Sequence, residues 1–251
     1  MCRKYFEQRR GGADGKHPEN PEKMMGGVRV LSTKKLQPNQ RQFLLNAGFG
    51  VVEADFITIR PKEFQLAGTH PNLIFTSQNA FKSFLQHEDA GRYKKHSVFC
   101  VGSKTKDAIE KAGFSVAAFA EYAEELATQI IAGYAAGQFT FFSGNLRRET
   151  LPKALDDAGI VLNEIQAYET ALTPVKINNE LDAVLFFSPS GVESFLHLNE
   201  IGSTTCFCIG LTTAAALTGK TEKIVVATKP GVENVIVKCI NYYKGFPARS
   251  Y

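Results

Sequence analysis

Apolar positions in this chain come in short runs of four or five, each followed by a turn of small residues and then by apolar positions three and four apart. That pattern describes a strand passing through a tight turn into an amphipathic helix. Residues 28–32 read as a strand, and 38–47 as a helix opened by Pro38 and stopped by Gly48. One extended strand over 51–59 follows. Strands at 73–76 and 97–101 feed helices at 79–86 and 104–112, and a further helix starts near Glu124. A strand at 139–142, a helix over 147–158 and a long strand at 161–170 come next. The alternation resumes with strands at 183–187, 205–209 and 224–227 and helices at 192–198, 212–217 and 232–243. Repeated strand–helix units predict parallel sheets covered by helices on both faces, an α/β fold.

An internal echo divides the chain. Residues 73–85 can be laid over 184–196 with five of 13 positions identical, at a shift of 111 residues. Residues 99–105 then match 207–213 at a shift of 108. Two consecutive units recurring in order, at nearly constant spacing, predict two similarly built α/β domains.

Charge and composition narrow the function. Lys and Arg exceed Asp and Glu by 29 to 25, and no basic run follows residue 30, so the concentrated patch of a nucleic-acid binder is missing. No apolar run approaches the roughly 18 residues that span a bilayer. Residues 1–27 are polar with paired glycines and no apolar stretch; they predict a disordered leader, or a segment upstream of a start at Met24 or Met25. The cysteines (Cys2, Cys100, Cys206, Cys208, Cys239) are scattered, with no CxxC and no histidine at metal spacing. Buried reduced thiols in a cytoplasmic protein are the expectation.

In open parallel sheets ligands bind beyond the carboxyl ends of the strands. This chain loads those positions with glycines and small hydroxyl or amide residues: Thr76-Ser77, Gly102 with Thr105, Gly144-Asn145, Ser188 with Ser190-Gly191, and Gly210 with Thr212-Thr213. Each residue alone reads as a helix cap; five such loops together suit an anionic ligand held by backbone N–H groups at helix starts. Arg147 and Arg148 fall in the first turn of the helix expected over 147–158, either as an anion clamp or as surface partners of Glu149 or Asp156. Tyr168, near the end of the long strand, is a half-buried sheet residue or, if it faces the site, a proton donor. No phosphate-binding GxxxxGK[ST], dinucleotide GxGxxG, metalloprotease HExxH or GxSxG elbow is present, and the five histidines form no triad. Hydrolase, kinase and dehydrogenase readings weaken. Two non-enzymatic readings stay open at this point: a two-domain ligand binder, and a flavodoxin-like electron carrier, against which the absence of tryptophan weighs.

These residues in this order carry a resemblance. Ile74-Phe75-Thr76-Ser77, Val101-Gly102 with Thr105, Gly144-Asn145-Leu146-Arg147-Arg148-Glu149 with Leu151-Pro152, Tyr168, Phe186-Phe187-Ser188-Pro189-Ser190-Gly191 and Ile209-Gly210 with Thr212-Thr213 are similar to the uroporphyrinogen-III synthase family. The resemblance covers residues 28–240 and implies two flavodoxin-like parallel-sheet domains joined by two extended connectors, the first domain discontinuous. On that basis domain 1 comprises 28–57 plus 175–251, domain 2 comprises 63–167, and 58–62 and 168–174 connect them. The implied substrate is hydroxymethylbilane, a linear tetrapyrrole, closed to uroporphyrinogen III with loss of water and inversion of ring D. No metal or organic cofactor is implied, nor a nucleic acid or a membrane; a monomer is implied, receiving substrate from hydroxymethylbilane synthase by transient hand-over. The family's tyrosine proposed to assist hydroxide departure matches Tyr168. Thr76, Ser77, Gly102, Thr105, Gly144, Asn145, Arg147, Ser188, Ser190, Gly191, Gly210, Thr212 and Thr213 match substrate-binding positions. Thr205 stands where some members carry a basic residue, Leu211 where a proline is frequent, and 120–123 lack the family's usual glycine turn.

Overall fold

The computed structural model describes residues 27–245. The expected leader, Gly27 apart, and Cys2 lie outside the described residues. The chain forms two compact units: unit 1 takes residues up to Ala54, Ile177–Val192 and from Asn199 on, and unit 2 takes Asp55–Lys176 with Glu193–Leu198.

Unit 1 holds a parallel five-stranded sheet of β1 (Arg29–Ser32), β2 (Gly50–Glu53), β9 (Ala183–Phe186), β10 (Thr205–Cys208) and β11 (Ile224–Val226), in the spatial order β2-β1-β9-β10-β11. Numbered within the unit this is 2-1-3-4-5, the flavodoxin order. Side chains alternate across each strand. Val30, Ala183, Leu185 and Phe207 point to the face covered by α1 (Pro38–Asn46) and α8 (Val232–Lys244), which contribute Leu44, Val235, Ile236 and Cys239. Cys206 and Cys208 flank Phe207 in β10 and so point to the opposite face. α6 (Pro189–Leu196) and α7 (Leu211–Ala215) follow β9 and β10.

Unit 2 holds six strands: β3 (Ile57–Pro61), β4 (Asn72–Phe75), β5 (Ser97–Val101), β6 (Ser115–Ala120), β7 (Gln138–Gly144) and β8 (Val161–Leu172), in the order β3-β8-β7-β4-β5-β6. All pairs are parallel except β3 with β8. Leu73, Phe75, Val98, Cys100 and Phe142 meet α2 (Gln78–Leu85) and α3 (Ser103–Lys111), which bring Phe81, Phe84 and Ile109. Ile74, Phe99, Phe139 and Phe141 meet α4 (Ala123–Gly133) and α5 (Thr150–Asp157) through Leu126, Ile130, Leu151 and Leu155. Both faces are therefore buried, which is why the strands read as continuous apolar runs. Phe142 stacks on Phe75 with ring centres 5.0 Å apart and lies 5.0 Å from Phe84, giving the first face an aromatic centre.

The internal echo has a topological counterpart. Laid side by side, β2-β1-β9-β10-β11 corresponds to β8-β7-β4-β5-β6, so β4–α2 and β9–α6 occupy the same station in their sheets, as do β5 and β10. What differs is the chain order: β1 and β2 precede the echoed pair, whereas β7 and β8 follow it. The second unit is thus a circular permutation of the first, numbered 3-2-1-4-5 within itself. In both, the topological switch point falls beside the echoed first strand: β1/β9 in unit 1, β4/β7 in unit 2.

Three local expectations are corrected. The extended run over 51–59 is two strands, β2 and β3, because Glu53 ends its pairing with β1 in one sheet and Ile57 begins pairing with β8 in the other. The helix expected from residue 147 begins at Thr150. Arg147 instead closes a turn, its N–H bonding Gly144 O at 3.1 Å, so neither arginine lies in a helical first turn. The strand β6 went unread, because the alanine-rich run 115–120 has little of the β-branched character that marks a strand.

Candidate active site

β4 ends at Phe75, and Thr76-Ser77 turn the chain into α2. Ser77 is the N-cap of that helix: its backbone is extended and its Oγ accepts the Ala80 N–H at 3.1 Å. The neighbouring strand β7 runs on to Gly144, and β8 lies alongside it. Ser143 faces Gln166 but Gly144 faces Tyr168, so the register skips Ala167. A bulge of this kind re-aims the following side chain. Here it lays the Tyr168 ring against the bare Cα of Gly144: a Cβ on that glycine would stand 2.4, 2.6 and 2.8 Å from three ring carbons. The ring also packs on the α2/α3 core face. Its hydroxyl lies 3.2 Å from Ser77 Oγ, which donates to it. Tyr168, Ser77 and Gly144 therefore meet at the β4/β7 switch point, where an α/β sheet binds ligands.

The loop after Gly144 secures this arrangement. Asn145 clasps β8 at Thr170, accepting its N–H at 2.8 Å and donating to its carbonyl at 3.2 Å. Arg147 bonds Glu164 through Nε at 2.6 Å and Glu149 through Nη1 at 2.6 Å. Ser143 Oγ donates to the same Glu164 oxygen at 2.5 Å. Burial disfavours the Glu164 charge, but the bonds from Arg147 and Ser143 outweigh it and hold the carboxyl below its ordinary range. The two carboxylates push the Arg147 guanidinium the other way, upward. Of the two readings of Arg147, surface pairing is the one seen. A polar depression of about 240 Å³ opens here, lined by Ser143, Gly144, Asn145, Arg147, Glu149, Glu164 and Gln166.

The third loop of unit 2 carries Gly102, whose φ of +86° at the N-cap of α3 is a left-handed conformation that side chains rarely adopt. Thr105 is buried under the same turn, and Gln78 Nε2 ties the start of α2 to the Lys104 carbonyl at 2.6 Å.

Unit 1 repeats the theme at β1/β9. Ser188, aligned with Ser77 in the echo, accepts the Gly191 N–H at 3.0 Å and lies 3.1 Å from Ser190 Oγ. A Cβ on Gly191 would stand 3.2 Å from Ser188 Oγ and 3.7 Å from Thr33 Oγ1. Gly210 caps the short α7; Thr212 is exposed and Thr213 buried. Gly210 and the threonines after it share no hydrogen bond with the Ser188 loop among those described. The sequence reading missed Thr33, Glu164 and Gln166. Thr33 follows β1 as Ser188 follows β9, with Oγ1 donating to Leu185 O at 2.7 Å, and that shared position beyond a strand's carboxyl end was the available signal.

Among the described residues no group of three or more His, Cys, Asp or Glu side chains is placed to hold a metal ion. The four described cysteines are free and buried, and burial pushes the Cys100, Cys206 and Cys208 thiols up to about 12, far from a nucleophilic thiolate. Among the described residues no helix is long and apolar enough to cross a membrane.

The chain is similar to known proteins along most of its length. A family model described as Uroporphyrinogen-III synthase HemD matches residues 41–236. The solved uroporphyrinogen-III synthetase from Helicobacter pylori 26695 is similar at 18% identity and a TM-score of 0.67, over 85% of this chain and 99% of that one. A mutant uroporphyrinogen III synthase from the extremely thermophilic bacterium Thermus thermophilus is similar at 15% identity and a TM-score of 0.62, over 88% and 100%. At such identities the structures show a shared fold, and the family match carries the assignment: the chain belongs to the uroporphyrinogen-III synthase family, enzymes of tetrapyrrole synthesis.

Proposed function

We propose that this chain closes hydroxymethylbilane to uroporphyrinogen III with Tyr168 as the acid that starts the reaction. The observation that carries the assignment of the acid is the Tyr168 hydroxyl, fixed at a sheet switch point by Ser77 on one side and the open Cα of Gly144 on the other.

The chemistry asks for little more than this. The C–O bond of the terminal hydroxymethyl group breaks with its electron pair going to oxygen. The Tyr168 proton turns that leaving group into water, while the pyrrole nitrogen lone pair fills the vacated carbon and gives an azafulvenium. That carbon attacks the substituted position of ring D, and the spiro intermediate fragments and recloses at the free position. The proton lost there as the ring regains aromaticity balances the one that Tyr168 gave. Positioning a folded bilane supplies much of the remaining acceleration.

The substrate bears acetates and propionates, which suit N–H groups and hydroxyls at helix starts. Thr76, Gly102, Gly144 and Asn145 in unit 2, and Ser188, Ser190, Gly191, Gly210 and Thr212 in unit 1, are the positions assigned to that task; Ser77, whose hydroxyl is shared between Ala80 N–H and Tyr168, meets the ligand through backbone. Thr105 and Thr213, being buried, support their loops on this reading and meet the ligand through backbone. Arg147, already paired with two carboxylates, holds the Gly144 loop in place. The enzyme works as a cytoplasmic monomer that takes its unstable substrate by transient hand-over from hydroxymethylbilane synthase; free buried cysteines accord with a reducing compartment.

The test is an isomer assay. Bilane is generated in situ, the products are oxidised and the uroporphyrin isomers separated. Unaided closure gives isomer I. Isomer III dependent on the protein supports the reading, and its absence with folded protein refutes it.

A further inference from the structure

Ser77 does more than cap a helix. We propose that it is a positioning residue that sets the direction of the Tyr168 hydroxyl, turning the phenol proton toward the substrate; the inference rests on Tyr168 being the acid. Ser77 Oγ stands between two groups, the Ala80 N–H at 3.1 Å and the Tyr168 oxygen at 3.2 Å. The helix start fixes the polarity of that chain. Its N–H groups and partial positive charge hold the oxygen end of the serine dipole, so the serine proton points away from the helix. What lies in that direction is Tyr168. The phenol oxygen is thereby an acceptor from Ser77, and its own proton stays uncommitted, available to a leaving group. After transfer, the same serine proton bonds to the phenolate, a charge-assisted contact stronger than the one before it. Differential stabilisation of this kind accelerates the chemical step rather than binding.

The other contacts of Tyr168 leave this assignment to Ser77. Gly144 offers the ring only a bare Cα, and Gln166 reaches the Tyr168 backbone carbonyl rather than its hydroxyl. Ser188, the echo counterpart, caps its own helix in the same way, but its hydroxyl neighbour is Ser190 Oγ and not a phenol.

Three substitutions separate direction from capping. Ser77→Asp keeps the cap but can only accept, so it draws the phenol proton inward. Ser77→Asn keeps the cap and offers an N–H to the phenol oxygen. Ser77→Ala loses both. The expectation is a fall in kcat of about 10²-fold for Asp and Ala with folding intact, partial recovery in Asn, and a smaller change in KM than in kcat. The tyrosine Raman doublet, isolated by subtracting the Tyr168→Phe spectrum, should show a phenol that accepts in the wild type and one that donates in Ser77→Asp. Wild-type kcat in folded Ser77→Asp, or an unchanged Tyr168 doublet, overturns the inference and leaves Ser77 a cap. If instead Tyr168→Phe itself turns over normally, the assignment of the acid has failed and the inference falls with it, a result recognisable because Ser77 is untouched.

Discussion

Replacing Gly144 by alanine puts one methyl group where the Tyr168 ring now lies. The new Cβ would stand 2.4 Å from the ring carbon that bears the hydroxyl and 2.6 and 2.8 Å from its neighbours. Carbon atoms rest at about 3.5–4.0 Å, so the tip of the ring must move by about 1 Å or more. The hydroxyl moves with it, off the 3.2 Å contact that Ser77 makes. Since the obstructed atoms are the far end of a side chain, the ring can swing away, and the stability loss should sit at the low end of the ~1–3 kcal/mol that overpacking costs. Catalysis has no such freedom: a misplacement of about 1 Å costs on the order of 10²-fold, equivalent to about 2.7 kcal/mol of barrier. The assay is kcat for isomer III formation beside a urea denaturation curve. Gly133→Ala is the control, because a Cβ there meets nothing within 4 Å; it should leave kcat unchanged and, at the end of α4, shift stability by no more than about 1 kcal/mol in the stabilising direction. Gly144→Ala with kcat within about twofold of wild type would refute the placement of Tyr168 as the source of activity.

Two further outcomes follow from the electrostatics. Glu164 is held below its ordinary value of 4.5, so its contribution to stability is present above that pH and lost as pH falls through the folded-state value. Glu164→Gln should therefore lower the unfolding free energy read from urea curves at neutral pH, by under about 1 kcal/mol because the pair is partly solvated, and the gap to wild type should close in acid; an equal gap at both pH values would contradict the ion-pair account. Cys100, Cys206 and Cys208, with thiols pushed up to about 12, should resist a disulfide reagent in the native protein and react on unfolding, and labelling of any of them at native neutral pH, located by mass spectrometry, would count against their burial.

Much of this architecture is legible in the chain because parallel strands buried on both faces must be apolar throughout, and the turn after each must be small. Ser77 and Ser188 are visible for that reason, and their alignment in the internal echo reflects the same station in two permuted sheets. Local pattern could not reveal the break at 54–56, since a strand leaving one sheet and a strand entering another look alike when each is judged only by its own residues. Nor could it reveal what makes Tyr168 special. The contact joins Tyr168 to a glycine 24 residues away in sequence through a bulge at Ala167, and Glu164 gains its meaning from Arg147 and Ser143 across the β7–β8 pair. The arginines misread as helical show the cost of extending periodicity through a turn: Leu151 and Leu155 set a helical spacing, but upstream of them the Arg147 N–H is already spent on Gly144 O.

The central claim is that this chain makes isomer III and that the Tyr168 hydroxyl is what starts the closure. It is tested most directly by running wild type and Tyr168→Phe side by side in the isomer assay, with the fold of both checked by circular dichroism. The account predicts isomer III from wild type, and from the variant a loss of about 10²-fold or more, with spontaneous isomer I taking its place. Full isomer III production by Tyr168→Phe, or isomer I alone from folded wild type, would contradict it.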